Sequence, residues 1–274
     1  MLSTAALDII ASSKDGTETA PYHQAALKYF NKSSALMRQE LSNARGEETT
    51  HLLFLNATFT VYNHIAISQH LMTDSATQAP PLSAIQRACL LFEMCLGASY
   101  VMNLNPTALE KSLAYLPSLH EQWSSLPLDH LREEDRYGLS LLDSIKDAIF
   151  FGGANESEDT IITRDTYDGS MKRMRLCYSH DLHHVAQGFC MSFPKYSGSD
   201  LAKAAKAHDP MALLLIMYWG VLLHRLAADV WWIGPLGQQL VQEGAEIVNR
   251  SKLVHVPATL EAVMWTRLQT GNLD

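Results

Sequence analysis

The chain has 274 residues, 47% hydrophobic and 18% charged, a balance that excludes a disordered chain and predicts a globular protein with a large core. Its 29 acidic and 21 basic residues give a formal net charge of -8, which opposes binding to phosphate backbones. We therefore expect no direct nucleic-acid partner.

The first two thirds of the chain predict helices. Residues 1–20 are polar and weakly patterned, which indicates a flexible N-terminal arm. From Pro21 onward apolar residues recur at helical spacing, with turn residues between the segments, and predict helices over 23–41, 48–72, 83–102, 105–123 and 131–151. Residues 152–169 are acidic and contain glycine, which predicts a mobile loop.

The last third continues this pattern, with helices predicted over 171–190, 199–207, 209–232, 234–249 and 259–268. No stretch alternates apolar and polar residues for long enough to indicate a sheet. We therefore predict an all-α fold, an irregular bundle of about ten helices around a central apolar helix. It would form a single domain over residues 21–274 and contain a hydrophobic ligand cavity.

The segment from Asp209 to Trp232 is the predicted central helix. Nearly every residue from Met211 to Leu226 is apolar or aromatic, and a helix that is apolar on all sides is buried on all sides. Asp209 can cap the free N–H groups of the first turn, and Pro210 fits there because its missing N–H would have no helical partner. The apolar run of about 16 residues is shorter than the ~20 that span a bilayer, so we expect no membrane insertion.

Cysteine usage and the N-terminus bear on location. Cys89, Cys95, Cys177 and Cys190 lack the paired spacing of metal ligands, which is typical of free thiols in a reducing compartment. No basic region precedes the short apolar patch at the N-terminus, so no signal peptide is predicted. These features predict an intracellular protein, in the cytoplasm or the nucleus.

Motifs of metal and cofactor chemistry are missing from the sequence. His180, His183 and His184 stand at i, i+3 and i+4, but a zinc site needs further ligands and no His-Glu-x-x-His signature is present. No Gly-rich phosphate loop follows a strand, and Ser140 and Ser192 lack the Gly-x-Ser-x-Gly context of a nucleophile. We expect neither a metal nor another cofactor.

A series of short motifs in the C-terminal third carries a family resemblance. In chain order they are Ser192-Phe193-Pro194, His208-Asp209-Pro210-Met211-Ala212-Leu213, the apolar helix through Tyr218, Leu222, Leu223 and His224, then Trp231-Trp232, Gly234 and Gly237-Gln238-Gln239-Leu240. Over about residues 190–268 these motifs resemble the ligand-binding C-terminal domain of fungal binuclear zinc-cluster transcription regulators of the sterol-uptake-control type. Val256-Pro257 stands where that family would have Trp-Pro, and the six-cysteine zinc cluster that contacts DNA is absent from this sequence.

The resemblance implies an all-helical, often dimeric domain that encloses a hydrophobic cavity for a sterol-like molecule. We therefore expect an apolar small molecule as the partner, and a homodimer is compatible with the resemblance. Buried imidazole, Trp N–H and Tyr O–H groups need partners that a ligand oxygen can supply. The catalytic candidates are His183, His184, Tyr218 and His224, and the ligand-binding candidates are Met191, Phe193, Met217, Trp219, Trp231 and Trp232. The alternative is that these are core or rim residues hydrogen-bonded to the backbone.

Two functions fit such a cavity. The first is a cofactor-independent cyclase or pericyclase of secondary metabolism, of the Diels-Alder type, which folds a terpenoid or polyketide into a reactive shape and polarises a conjugated carbonyl with one hydrogen bond. The second is a ligand-sensing regulatory domain for a sterol-like molecule. The initiator Met1 and the missing zinc cluster favour the enzyme slightly. A third alternative, a dimerisation module with a filled core, predicts no cavity of ~300 Å³ or more.

Overall fold

A computed structural model describes residues 1–13, 19–43, 47–70, 82–104, 131–150, 161–181 and 187–272. The predicted all-α class is confirmed, because every regular element in these ranges is helical. The described α-helices are α1 (Leu2–Ser12), α2 (Ala20–Asn43), α3 (Glu47–His70), α4 (Ala84–Leu104), α5 (Glu133–Phe150), α6 (Arg164–Asp181), α7 (Phe193–Lys206), α8 (Pro210–Leu226), α9 (Leu236–Arg250) and α10 (Thr259–Gln269). Short 3-10 helices cover Gln187–Ser192 and Lys252–His255.

Helix α8 occupies the centre of the core, as its sequence predicts. Every residue from Pro210 to Leu223 is buried. One carboxylate oxygen of Asp209 accepts hydrogen bonds from the N–H groups of Met211 at 2.9 Å and Ala212 at 3.0 Å, which caps the helix. The other oxygen accepts the Ile162 N–H at 2.8 Å. Asp209 therefore starts α8 and also fixes the chain that leads into α6.

Helices α8 and α9 meet backbone to backbone. A Cβ atom on Gly237 would lie 2.5 Å from the backbone nitrogen of His224 and would also overlap the Gly220 carbonyl. A Cβ on Gly220 would in turn lie 2.9 Å from the Gly237 carbonyl. This separation allows only glycine at the crossing point, since real Cβ contacts are longer than these.

The first helix differs from the sequence prediction of a flexible arm. Residues 2–12 form α1, whose Leu7 is 0% exposed in a small cluster with Ala26 of α2 and Ala66 of α3. The Ser3 hydroxyl donates a hydrogen bond to the Ala26 carbonyl at 3.0 Å. A short amphipathic helix of this kind is stable because it packs on its neighbours, which local pattern alone does not reveal.

Helix α6 begins inside the range predicted as a mobile loop. Its first residue is Arg164, and the Thr163 hydroxyl accepts the N–H of Thr166 at 3.3 Å in the manner of an N-cap. Residues 151–160 of the predicted loop, like the helix predicted over 105–123, lie outside the described residues.

A buried ionic cluster joins four helices at the C-terminal end of α8. The Arg225 guanidinium donates to both carboxylate oxygens of Asp135 in α5, at 2.7 and 3.1 Å, and to Asp181 at the end of α6, at 3.0 Å. It also donates to the Gln269 side chain of α10 at 2.7 Å. Burial alone would lower the pKa of Arg225, but the hydrogen bond to Asp135 and the nearby Tyr178, Asp135 and Asp181 raise it above its ordinary value.

No helix in the described ranges combines the length and the apolar character needed to cross a membrane.

Candidate functional site

Two of the polar candidates on the central helix, Tyr218 and Trp219, lie inside the core. Tyr218 and Trp219 are both 0% exposed. The Tyr218 hydroxyl donates a hydrogen bond to the Gly138 carbonyl at 2.8 Å, and Trp219 Nε1 donates to the Cys190 carbonyl at 3.0 Å. Burial raises the pKa of Tyr218 well above its ordinary value, so the hydroxyl stays protonated. Each of these polar groups thus has a backbone partner.

The apolar candidates Met217 and Phe193 are also fully buried. Met217 fills the space beside Gly244, where a Cβ atom would lie 2.6 Å from the Met217 Cγ. The Phe193 ring meets Phe92 edge to face, with ring centroids 6.0 Å apart. Both side chains contribute to the packing of the core.

Replacing Tyr218 by Phe tests whether its hydroxyl supports the core. We expect the free energy of unfolding to fall by about 1 kcal/mol, because a buried hydrogen bond is lost while the ring stays packed. Tyr137→Phe is a matched control, since its hydroxyl bonds to Glu261 at 3.0 Å on a side chain that is 52% exposed. Denaturant unfolding measures both. Equal losses in the two variants would contradict a core role for the Tyr218 hydroxyl.

Among the histidine candidates, His224 is the one that lies within the described residues. His224 is half-buried near the end of α8, and burial together with the charge of Arg225 lowers its pKa, so its ring is neutral at pH 7. His183 and His184 lie outside the described residues.

The two tryptophans after α8 support the packing of α3. Both Trp231 and Trp232 are half-buried and pack against the small cluster formed by α1, α2 and α3. The Trp232 ring also stacks on Tyr62 of α3, with ring centroids 4.5 Å apart and an angle of 27° between the planes. This stack restricts the orientation of the Tyr62 ring.

Tyr62 forms part of a small cleft that we call the apolar cleft. It has a volume of about 170 Å³ and lies between α3, α4 and the start of α7. Of the predicted ligand-binding residues, Met191 is among those that line it. The full lining consists of Phe54, Thr58, Val61, Tyr62, Cys95, Ala98, Ser99, Met191, Ser192 and Lys195.

A few polar groups face this otherwise apolar surface. The Ser192 Oγ is buried and has no hydrogen-bond partner among the described residues. Burial and the neighbouring Cys95 raise the pKa of Tyr62, so its hydroxyl is a hydrogen-bond donor at neutral pH. Burial raises the pKa of Cys95 to about 11, so the thiol is protonated and a poor nucleophile. Besides the cationic Lys195 in its lining, the cleft therefore offers neutral hydrogen-bonding groups, and its thiol is not a reactive thiolate.

Sequence reasoning did not identify Tyr62, Cys95 or Ser192 as site residues. They belong to three segments far apart in the chain, and Tyr62 stands at a position whose helical spacing predicts an ordinary core residue. A buried serine hydroxyl without a partner is visible only after the chain has folded.

Within the described ranges no three His, Cys, Asp or Glu side chains lie together in a way that could hold a metal ion. No family model, curated protein or solved structure matches the chain. A function can therefore be inferred only from the chain's own residues and geometry.

Proposed function

We propose that the protein binds a small, largely apolar molecule in the apolar cleft and hydrogen-bonds one oxygen of that molecule. The observation that supports this most is the Ser192 hydroxyl, which has no hydrogen-bond partner among the described residues and is buried beside apolar walls. Such a group costs about 1–3 kcal/mol unless something satisfies it. A ligand oxygen seated in the cleft would satisfy it, with the Tyr62 hydroxyl as a second donor.

The volume of the cleft limits the size of the ligand. A cavity of roughly 150 Å³ accommodates a benzene ring, and the cleft is close to that size at about 170 Å³. It therefore suits one ring or two fused rings. A sterol or another polycyclic metabolite would place one end in the cleft and extend the remainder beyond it.

Catalysis in the same cleft is the second candidate function, and the protonated Tyr62 hydroxyl favours it. A neutral donor in an apolar site polarises a conjugated carbonyl, and the walls hold a flexible substrate in a folded shape. The reaction would be a cyclisation or isomerisation that needs no cofactor and leaves the mass unchanged. A regulatory domain would instead bind such a ligand without converting it.

Binding of 1-indanone and of indane tests the proposal, because these bicyclic molecules differ only in a carbonyl group. We expect 1-indanone to bind more tightly to the protein than indane. Tyr62→Phe should remove much of that preference, weakening 1-indanone binding about fivefold, because one hydrogen bond of about 1 kcal/mol is lost. Met191→Trp should abolish the binding of both molecules by filling the cleft.

Met264→Trp is the matched control for Met191→Trp, since Met264 is 61% exposed on α10. It should leave the affinity for both molecules unchanged. Calorimetric titration provides the affinities, and binding that survives Met191→Trp would contradict the proposal.

Incubation with conjugated polyene ketones, followed by mass spectrometry, separates the two functions. An isomer that forms with the wild type and more slowly with Tyr62→Phe supports catalysis. Binding without conversion supports the regulatory domain.

A further inference from the structure

A second cleft differs from the apolar cleft in chemical character, because its lining is mostly polar. We call it the polar cleft. It has a volume of about 480 Å³ and is formed by the end of α3, the start of α4 and one face of α9. The polar side chains that line it are Ser68, Gln69, Ser83, Arg87, Gln239, Gln242, Glu243 and Glu246.

Arg87 is the unusual member of this lining. Arg87 is only 8% exposed, and its Nη2 donates a hydrogen bond to the Gln239 side-chain oxygen at 2.5 Å. Its Nε is buried and has no hydrogen-bond partner among the described residues. Burial lowers the pKa of Arg87, although the charge of Glu243 opposes this. A buried guanidinium with an unused donor is costly, and a carboxylate is the group that suits it best.

The nearby carboxylate of Glu243 is already engaged elsewhere. It accepts the N–H groups of Ala84 at 2.7 Å and Ile85 at 3.3 Å, and thereby caps α4. Ser83 and Gln86 complete the cap, since each accepts the backbone N–H of the other. The start of α4 is thus satisfied within the protein, and among the described residues no carboxylate accepts a hydrogen bond from the buried Arg87 Nε.

The other charges of the cleft restrict the kind of anion that fits. Glu243 and the exposed Glu246 also line it, so that two carboxylates share the cleft with Arg87. A ligand with two negative charges would be repelled. A zwitterion avoids this, because its cationic end is attracted to Glu246 while its carboxylate meets Arg87. The buried Nε2 of Gln69, which also has no partner among the described residues, is a second donor for that carboxylate.

We propose that the polar cleft is a binding site for a free α-amino acid. The carboxylate lies against Arg87 Nε and the Gln69 amide, and the ammonium group lies toward Glu246. This site is separate from the apolar cleft, and the two share no lining residue.

Saturation-transfer NMR with each of the proteinogenic L-amino acids, added singly, tests the site. We expect at least one to bind with a Kd of about 1 mM or tighter, and its carboxamide derivative to bind at least about tenfold more weakly. The absence of binding by every amino acid would overturn the proposal. Equal binding of an amino acid and its carboxamide would also overturn it, because the carboxylate would then not be recognised.

Two variants locate the site. Arg87→Gln removes the charge and should weaken binding at least about tenfold. Because this residue is buried, Glu246→Gln provides a second variant at an exposed position that leaves the fold intact, and it should also weaken binding. Met191→Trp, in the apolar cleft, should leave amino-acid binding unchanged. Full affinity in Glu246→Gln together with loss of affinity in Met191→Trp would contradict the assignment to the polar cleft.

Discussion

Replacing Arg225 by Met is expected to lower the free energy of unfolding by about 3–5 kcal/mol. The guanidinium pairs with Asp135, whose side chain is 0% exposed, and with Asp181, whose side chain is 8% exposed. Without Arg225 both carboxylates would remain buried with their main countercharge removed. The loss follows from leaving two buried carboxylates without this countercharge, rather than from the net contribution of the ion pairs.

Arg175→Met is the matched control for Arg225→Met. Arg175 pairs with Asp143, so that it joins α5 to α6 as the Arg225 cluster does, but both side chains of this pair are 38% exposed. A pair of that exposure contributes about 1 kcal/mol or less. Urea unfolding followed by circular dichroism measures both variants. A loss in Arg225→Met no larger than that in Arg175→Met would contradict the structural role of the cluster.

Replacing Gly237 by Ala is expected to lower the free energy of unfolding by about 3 kcal/mol, at the upper end of the usual cost of overpacking. The added methyl group would lie 2.5 Å from the His224 nitrogen. Its neighbours are backbone atoms of α8, which cannot rotate away as a side chain can. Helices α8 and α9 would have to separate, and α8 lies at the centre of the core.

Gly169→Ala controls for the intrinsic helix preference of alanine. Gly169 lies within α6, and a Cβ atom there would meet nothing within 4 Å. This substitution should raise stability by about 0.5–1 kcal/mol, because alanine favours the helix over the unfolded chain. Thermal and urea unfolding provide the comparison. A stabilising effect of Gly237→Ala, like that of Gly169→Ala, would contradict the close backbone contact between α8 and α9.

The central helix is the part of the fold that the sequence predicts best. The cap at Asp209, the proline that follows it and the uninterrupted apolar run are all local signals, and the structure has α8 over Pro210–Leu226. The helical state of residues 2–12 depends instead on contacts with α2 and α3. Such contacts between distant segments cannot be identified from the local sequence of so short a helix.

The candidate site was harder to predict for a related physical reason. A helix that is apolar on all sides is covered on all sides, so Met217, Tyr218 and Trp219 lie in the core and are each 0% exposed. The apolar cleft forms where α3, α4 and the start of α7 leave a gap. Met191 lines that gap, but the partners from α3 and α4 that complete it lie more than 90 residues earlier in the chain and share no motif with it.

Methyl NMR of protein labelled with ¹³C at the methionine methyl groups tests ligand binding in the apolar cleft most directly. Met191 lines the cleft, whereas Met217 is 0% exposed in the core and Met264 is 61% exposed on α10. Titration with 1-indanone should shift the Met191 signal, assigned from its loss in Met191→Leu, in a saturable manner and leave the Met217 and Met264 signals in place. A Met191 signal that does not move, or one that moves only as much as the Met264 signal, would contradict the proposed function.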